Sequence, residues 1–275
     1  MTPGATEWSA FITKFRHYEY LRMSFGLCNA PATFQAAMDE LFEDMIGHGV
    51  IVYIDDINVY AETFEEHNRL LKEVLRRIRT AHMRIKPSKC FIAMRKIAYL
   101  GFIIDKQNVK IDPEKVIAVV NYPRPTDKTE VKAFLGLTGF LRRFIRSYAE
   151  VTAPLNMLYE KSRVYKWTSA AEKSFNALKE KITKSPILIR PHFASDFKLY
   201  TDASSFRLGA ILAQDRSDGE HVIAYASHGT RNAEPNYGAT KLECLAVVWA
   251  VRKFRHYLIG KKFKLIMDHS ALKWL

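Results

Sequence analysis

The chain has 275 residues, room for one large domain or two to three smaller ones. Hydrophobic residues make up 48% and aromatics 12%, which supplies a sizeable core and excludes a disordered chain. The formal net charge of +13 points to a polyanionic partner, nucleic acid first; a basic protein without such a partner is the open alternative.

No run approaches the roughly 20 apolar residues that a membrane-spanning helix needs. Met1-Thr2-Pro3-Gly4 opens no secretory pattern. The expected location is therefore intracellular. Cys28, Cys90 and Cys244 lie too far apart for a zinc spacing or a disulfide framework, and are expected to be reduced, buried, small apolar residues.

In chain order, Ser9 to Thr13 and His17 to Arg22 alternate as two short strands, within a stretch mixing aromatic and basic side chains. Phe25 to Gln35 follows. Gly26 and Asn29 mark a loop, and Pro31 suits the first turn of a helix running through Ala36, Met38, Leu41 and Phe42 and ended by Gly47 and Gly49. Gly49 to Tyr60 then places two apolar, β-branched runs around Asp55-Asp56, which predicts strand, tight turn, strand. Two carboxylates at such a tip suit a hard divalent cation; a solvated turn explains the same pair.

Phe64 to about His82 predicts an amphipathic helix carrying Leu70, Leu71, Val74, Leu75 and Ile78. Lys86 to Cys90 is a turn, and Ile97 to Ile104 a second apolar hairpin bending at Gly101. Tyr122-Pro123-Arg124-Pro125 is stiff and extended. Asp127 with Glu130 resembles a capping box ahead of a helix that buries Val131, Phe134, Leu135 and Leu137. Arg142, Arg143 and Arg146 lie in a basic-aromatic stretch that suits either phosphate contacts or a solvated helical face.

From Trp167 the pattern changes. Ala170 to Ile182 predicts a helix with Phe175 and Leu178 inside. Strands are expected at Phe197 to Asp202, Leu208 to Gln214, His221 to Ser227 and Phe263 to Asp268. One long helix, about Tyr237 to Leu258, lies between the last two, with Leu242, Leu245, Ala246 and Trp249 as its buried stripe and Gly260 beyond its end. The result is a mixed α/β sheet. Asp202, Glu243 and Asp268 sit where strand ends and a helix can gather carboxylates into a metal pocket, or where each merely caps or solvates its own element.

Phe25 to Gln35, Tyr53-Ile54-Asp55-Asp56 and Tyr99-Leu100-Gly101-Phe102 stand in the order and spacing of reverse transcriptases, most like those of gypsy-type LTR retrotransposon pol polyproteins. Pro123 to Leu158 resembles the thumb and connection of that family. Thr201-Asp202-Ala203-Ser204, the Glu243 helix, Asp268-His269, Tyr225-Ala226-Ser227 and Phe254 to Leu258 resemble its ribonuclease H domain.

The resemblance implies an α+β and α/β multidomain chain. Residues 1–105 would form partial fingers and palm, 106–165 thumb and connection, and 166–275 a ribonuclease H-like mixed sheet. It implies an RNA-directed DNA polymerase with ribonuclease H activity, acting on RNA template, DNA primer, RNA–DNA hybrid and deoxynucleoside triphosphates. Mg²⁺ or Mn²⁺ would be used as a pair in each active site, held by Asp55 and Asp56 and by Asp202, Glu243 and Asp268. Phe25, Gly26 and Gln35 would lie along nucleotide and template, and Tyr99 to Phe102 would form a primer grip. Lys89 falls near where the family holds the triphosphate, although a solvated loop lysine explains it too. The location implied is cytoplasmic or within a virus-like particle.

Four departures qualify this. The family's third palm aspartate belongs on a strand before Trp8, and its last ribonuclease H carboxylate on a helix after Asp268; neither is in the sequence, so each site is expected to lack a member. Ser24 replaces a usual proline and Met267 a usual threonine. A catalytically incomplete, nucleic-acid-binding remnant is therefore the alternative reading.

Overall fold

The computed structural model describes residues 3–160, 164–231 and 233–268. It divides into two compact units, Met1–Met94 and Arg95–Leu275.

In the first unit a short helix α1 (Pro3–Trp8) precedes two small antiparallel strands, β1 (Phe11–Ile12) and β2 (His17–Tyr18). Helix α2 (Ala30–Leu41) starts with Pro31 in its first turn, where a missing N–H costs nothing. The hairpin of β3 (Val50–Tyr53) and β4 (Asp56–Val59) follows, then α3 (Phe64–Thr80). Leu70, Val74 and Ile78 recur every four residues on α3 and are buried against Met38, Phe42, Met45 and Val50. Thr63 Oγ1 accepts the Glu66 N–H, and Glu65, Glu66, Arg77 and Arg79 place each charge at the end of α3 that the helix dipole favours. Gly49, at φ +101, lies where a Cβ would collide with Leu70 Cδ1, so the hairpin seats on α3 only with glycine here.

Arg77 ties this unit together. It donates to the Leu41 carbonyl (3.0 Å), to Asp44 (2.8 Å) and to Glu73 (2.7 Å). The guanidinium groups of Arg76 and Arg77 hold the Glu73 carboxyl down to about 2.

The second unit begins with β5 (Lys96–Tyr99), β6 (Phe102–Asp105) and β7 (Asn108–Ile111). Leu100 and Gly101 link the first two strands with φ of 48° and 77°, a two-residue turn of the kind whose twist matches a hairpin. Three helices follow: α4 (Pro113–Val120), α5 (Lys128–Phe140) and α6 (Tyr148–Asn156). Asp127 caps α5 as expected, accepting from the Thr129 and Glu130 N–H groups, while Glu130 reaches back to Thr126 rather than to Asp127. Tyr165 OH donates to Pro125 O (2.6 Å) and Lys179 Nζ to Tyr122 O (2.6 Å), which fastens the extended Tyr122 to Pro125 segment.

Helix α7 (Ser169–Thr183) and β8 (Leu188–Ile189) come next; β8 pairs with β7 to complete a sheet in the order β5-β6-β7-β8. One core joins this sheet to α4–α7, centred on Phe134, whose ring meets Phe175 (4.6 Å) and Tyr122 (5.2 Å).

The remaining strands are β9 (Phe197–Ser204), β10 (Arg207–Arg216) and β11 (Gly219–Gly229). They are followed by α8 (Ala239–Lys253), α9 (Arg255–Leu258) and β12 (Phe263–Ile266). The sheet order is β11-β10-β9-β12, antiparallel except for the parallel β9–β12 pair. Phe197, Leu199, Leu212 and Ile223 pack against Ala250, Phe254 and Leu258.

Three expectations are corrected. The long helix is two, broken at Phe254 (φ −100°, ψ 15°), whose side chain is drawn into the core. Its buried stripe is Leu242, Glu243, Ala246 and Ala250, so Glu243 lies within the stripe rather than beside it. Cys28 and Cys90 are unpaired as expected but exposed, because both fall in loops.

Phe134→Ala should cost about 3–5 kcal/mol of stability by denaturant unfolding, since a fully buried ring with two aromatic partners leaves a cavity. Glu73 has a folded-state pKa below its ordinary value of 4.5, so its stabilisation is present above pH 4.5 and is lost as pH falls towards 2. Denaturant midpoints measured across that window should fall more steeply for the native chain than for Glu73→Gln, which should be less stable at neutral pH.

Candidate active sites

Tyr53 and Asp56 are paired across the first hairpin, so only Ile54 and Asp55 form the turn. Ile54 has φ 50°, a left-handed conformation that is rare for a β-branched residue. It places Asp55 and Asp56 next to one another at the exposed tip. The Ile54 N–H donates to Gln35 Oε1 at 2.6 Å. The other end of that amide, Nε2, donates to Asp39 Oδ1 at 2.7 Å and lies 3.5 Å from the Val52 carbonyl. Helix α2 thus holds the turn through Gln35. The donor set, two carboxylates on adjacent residues, fits a hard divalent cation in its chemistry.

The other residues expected around this site are placed as follows. Phe25 is fully exposed and Gly26 has φ +91°, both in the loop before α2. Lys89 ends an exposed single-turn 3₁₀ helix, Pro87–Lys89. Tyr99 to Phe102 belong to the second unit. Phe102 stacks on Phe140 (4.9 Å) and Phe144 (5.6 Å), and a Cβ at Gly101 would press on Lys115 (3.1 Å) and Phe140 (3.3 Å), so this turn is packed against α5 and its neighbours.

In the second unit, the last paired residues of the parallel strands are Ile266 and Tyr200. Asp202 lies two residues beyond Tyr200 within β9, and Asp268 two residues beyond the end of β12. Glu243 comes from α8, 7% exposed. The buried positions on β9 are Phe197, Leu199 and Thr201, and the first two pack with α8 residues; Asp202 is in the opposite phase and exposed. Among the described residues no three His, Cys, Asp or Glu side chains stand close enough to hold a metal ion. The expected trio of Asp202, Glu243 and Asp268 is not preformed among the described residues. His269 lies outside the described residues.

Arg142 and Arg143 fall in a 3₁₀ turn, Arg142–Phe144, after α5. Arg143 is half-buried and donates to the Ile223 carbonyl (3.4 Å), whereas Arg142 and Arg146 are exposed. Arg146 lines an open cavity of about 310 Å³ with Lys181, Lys184 and Tyr225. Lys253 and His256 lie near these arginines: burial, followed by Arg142 for Lys253, and by Lys253 and Arg143 for His256, pushes both below their ordinary values. Asp39, Lys253 and His256 were not foreseen. The signal for Asp39 was its four-residue spacing from Gln35 on a helix, which puts the pair on one face.

Residues 4–104 match the family described as reverse transcriptase (RNA-dependent DNA polymerase). Residues 167–265 match the RNase H-like domain found in reverse transcriptase. The chain is 40% identical, over 97% of its length, to the retrovirus-related Pol polyprotein from transposon 297 of Drosophila melanogaster, and 31% identical over 97% to that from transposon gypsy of the same organism. It covers 25% and 27% of those proteins, so it spans about a quarter of the length of the curated relatives it matches. Its fold is similar to foamy viral protease-reverse transcriptase solved with RNA/DNA hybrid (TM-score 0.82, 23% identity, 98% of this chain and 36% of that one). The same viral protein solved with double-stranded DNA gives a TM-score of 0.83 at 23% identity, over 98% of this chain and 56% of that one. At this identity the solved structures speak for the fold, mixed helix and sheet, as expected from the sequence. Taken with the Asp55-Asp56 hairpin and the β11-β10-β9-β12 sheet, the two family matches in this order make the chain a relative of retrotransposon Pol polyproteins, with a reverse transcriptase segment followed by an RNase H-like domain.

Proposed function

We propose that this chain is the polymerase and ribonuclease H segment of a retrotransposon Pol polyprotein, copying RNA into DNA and cleaving RNA in RNA–DNA hybrids. Its functional parts are fingers and palm (1–105), thumb and connection (106–165) and ribonuclease H (166–275). The observation that carries this reading is the braced two-residue turn presenting Asp55 and Asp56, inside a segment that matches reverse transcriptases. The relatives solved with hybrid and duplex DNA support the same class of partner.

Asp55 and Asp56 are the residues that would hold divalent metal, Mg²⁺ or Mn²⁺, at the polymerase site; Asp202, Glu243 and Asp268 would do so at the nuclease site. Bound there, paired metals supply charge stabilisation for the attacking and leaving oxygens of phosphoryl transfer. The carboxylates' own task is to be fixed in direction, and the exposed tip leaves room for a substrate phosphate on the far side of a bound cation. Phe25, Gly26 and Lys89 border the nucleotide and template, and Tyr99 to Phe102 the primer. Arg142 and Arg146, exposed on a chain of net charge +13, contact the nucleic-acid backbone. No helix among the described residues is long and apolar enough to cross a membrane, and an intracellular site of action, in cytoplasm or a virus-like particle, follows from the substrates.

A second reading, a nucleic-acid-binding segment without chemistry of its own, is favoured by one observation: no three-carboxylate group stands among the described residues.

Purified residues 1–275 distinguish the two. Both readings expect RNA–DNA hybrid binding that weakens on the order of a thousandfold between 50 and 200 mM salt, as phosphate contacts release counterions. Weak binding indifferent to salt would contradict both. Hybrid binding by 1–275 alone without primer extension would favour the second reading. Robust Mg²⁺-dependent extension, abolished by Asp55→Asn, would instead establish the polymerase reading for this chain by itself.

A further inference from the structure

We propose that Gln35 and Asp39 are a positioning pair for the Asp55-Asp56 turn: Asp39 sets the direction of the Gln35 amide, and Gln35 holds the backbone that aims the two carboxylates. The proposal rests on the metal-binding reading of that turn, and it gives Gln35 a task other than touching nucleotide or template.

Ile54 opens the turn at φ 50°, which a β-branched side chain adopts only when its surroundings enforce it. The surrounding group that meets its backbone is Gln35, whose Oε1 accepts the Ile54 N–H at 2.6 Å. An amide has two unlike ends, and only the oxygen can accept that hydrogen. What decides the orientation is Asp39, one helical turn further along α2. An ionised carboxylate is an acceptor only, so it takes the amide's N–H₂ at 2.7 Å and leaves the oxygen facing Ile54. With Asn at position 39 that compulsion is gone, because its own amide can present either a donor or an acceptor.

The brace starts from a fixed point. Met38, between the two residues in sequence, and Phe42, one turn on, are buried in the core with Val50 of the hairpin's first strand. The second N–H of Gln35 faces the Val52 carbonyl at 3.5 Å, so the helix reaches the strand before the turn as well as the turn itself. The polar end of Gln35 is thereby committed to the protein's own backbone and to Asp39. A hard cation with near-octahedral demands binds well only where its ligands are held.

Mn²⁺ serves as the probe, its affinity for residues 1–275 measured by water-proton relaxation, with thermal melting as the check on folding. Gln35→Leu should weaken Mn²⁺ binding about tenfold, as loss of an outer-shell hydrogen bond does elsewhere. Asp39→Ala and Asp39→Asn should weaken it by a smaller factor. Asp55→Asn, the control for the site, should remove this binding class. Unchanged Mn²⁺ affinity in Gln35→Leu, with Asp55→Asn still defective, would overturn the positioning pair and leave the metal site standing. Affinity that Asp55→Asn also leaves unchanged would overturn both. Amide exchange in the native chain gives an answer that needs no variant: the Ile54 N–H should be protected, and exchange as fast as a free loop amide would overturn the proposal.

Discussion

A two-residue connection between β3 and β4 leaves nowhere for Asp55 and Asp56 to go except the tip. Because Tyr53 pairs with Asp56, the turn has only Ile54 and Asp55 to reverse the chain, and Ile54 takes a left-handed backbone to do it. That conformation is unfavourable for isoleucine in isolation. It is maintained by a hydrogen bond from a helix whose own position is set by Met38 and Phe42 in the core. Local strain, helix packing and carboxylate direction are thus one mechanical problem in the first unit. Gly49 solves its other half, taking φ +101°, a conformation that favours glycine, where a Cβ would meet Leu70 Cδ1.

The second unit is organised by a different constraint, strand register. The parallel pairing of β12 with β9 sets Phe263–Ile266 alongside Phe197–Tyr200 from positions far apart in sequence. The segment before it is not a passive spacer. Arg143 bonds the Ile223 carbonyl, the Ala149 N–H donates to Ser227 Oγ (2.8 Å), and Arg207 pairs with Glu150, so α6 and its preceding turn are laid along β11. Lys253 of α8 and His256 of α9 are held below their usual basicity, first by burial and then by the positive side chains beside them.

Much of this was readable from the residues. Wherever a single physical signal was strong, the element was found: the apolar runs around Asp55-Asp56, the four-residue spacing on α3, the Asp127 cap and the alternation of β9 to β11. What escaped depends on contacts distant in sequence. Strands β7 and β8 are four and two residues long, and β8 exists because Leu188 and Ile189 pair with Val109 and Asn108. The break at Phe254 interrupts a helix whose local pattern continues, because the ring is pulled into the core. At the candidate site the two aspartates were visible as a motif, while the Gln35–Asp39 brace was not. Polar residues spaced four apart on a helix are common on solvated faces, and only the folded hairpin shows what this pair meets.

The Asp55-Asp56 tip, proposed as a metal site held in place by the fold, can be tested directly. Fe²⁺ substituted for Mg²⁺ in residues 1–275, with ascorbate and peroxide, generates hydroxyl radicals that cut the backbone nearest the bound ion. The account predicts cleavage between Tyr53 and Ile57, suppressed by excess Mg²⁺ and absent in Asp55→Asn. Cleavage spread evenly along the chain, or a hairpin that stays intact while other segments are cut, would contradict it.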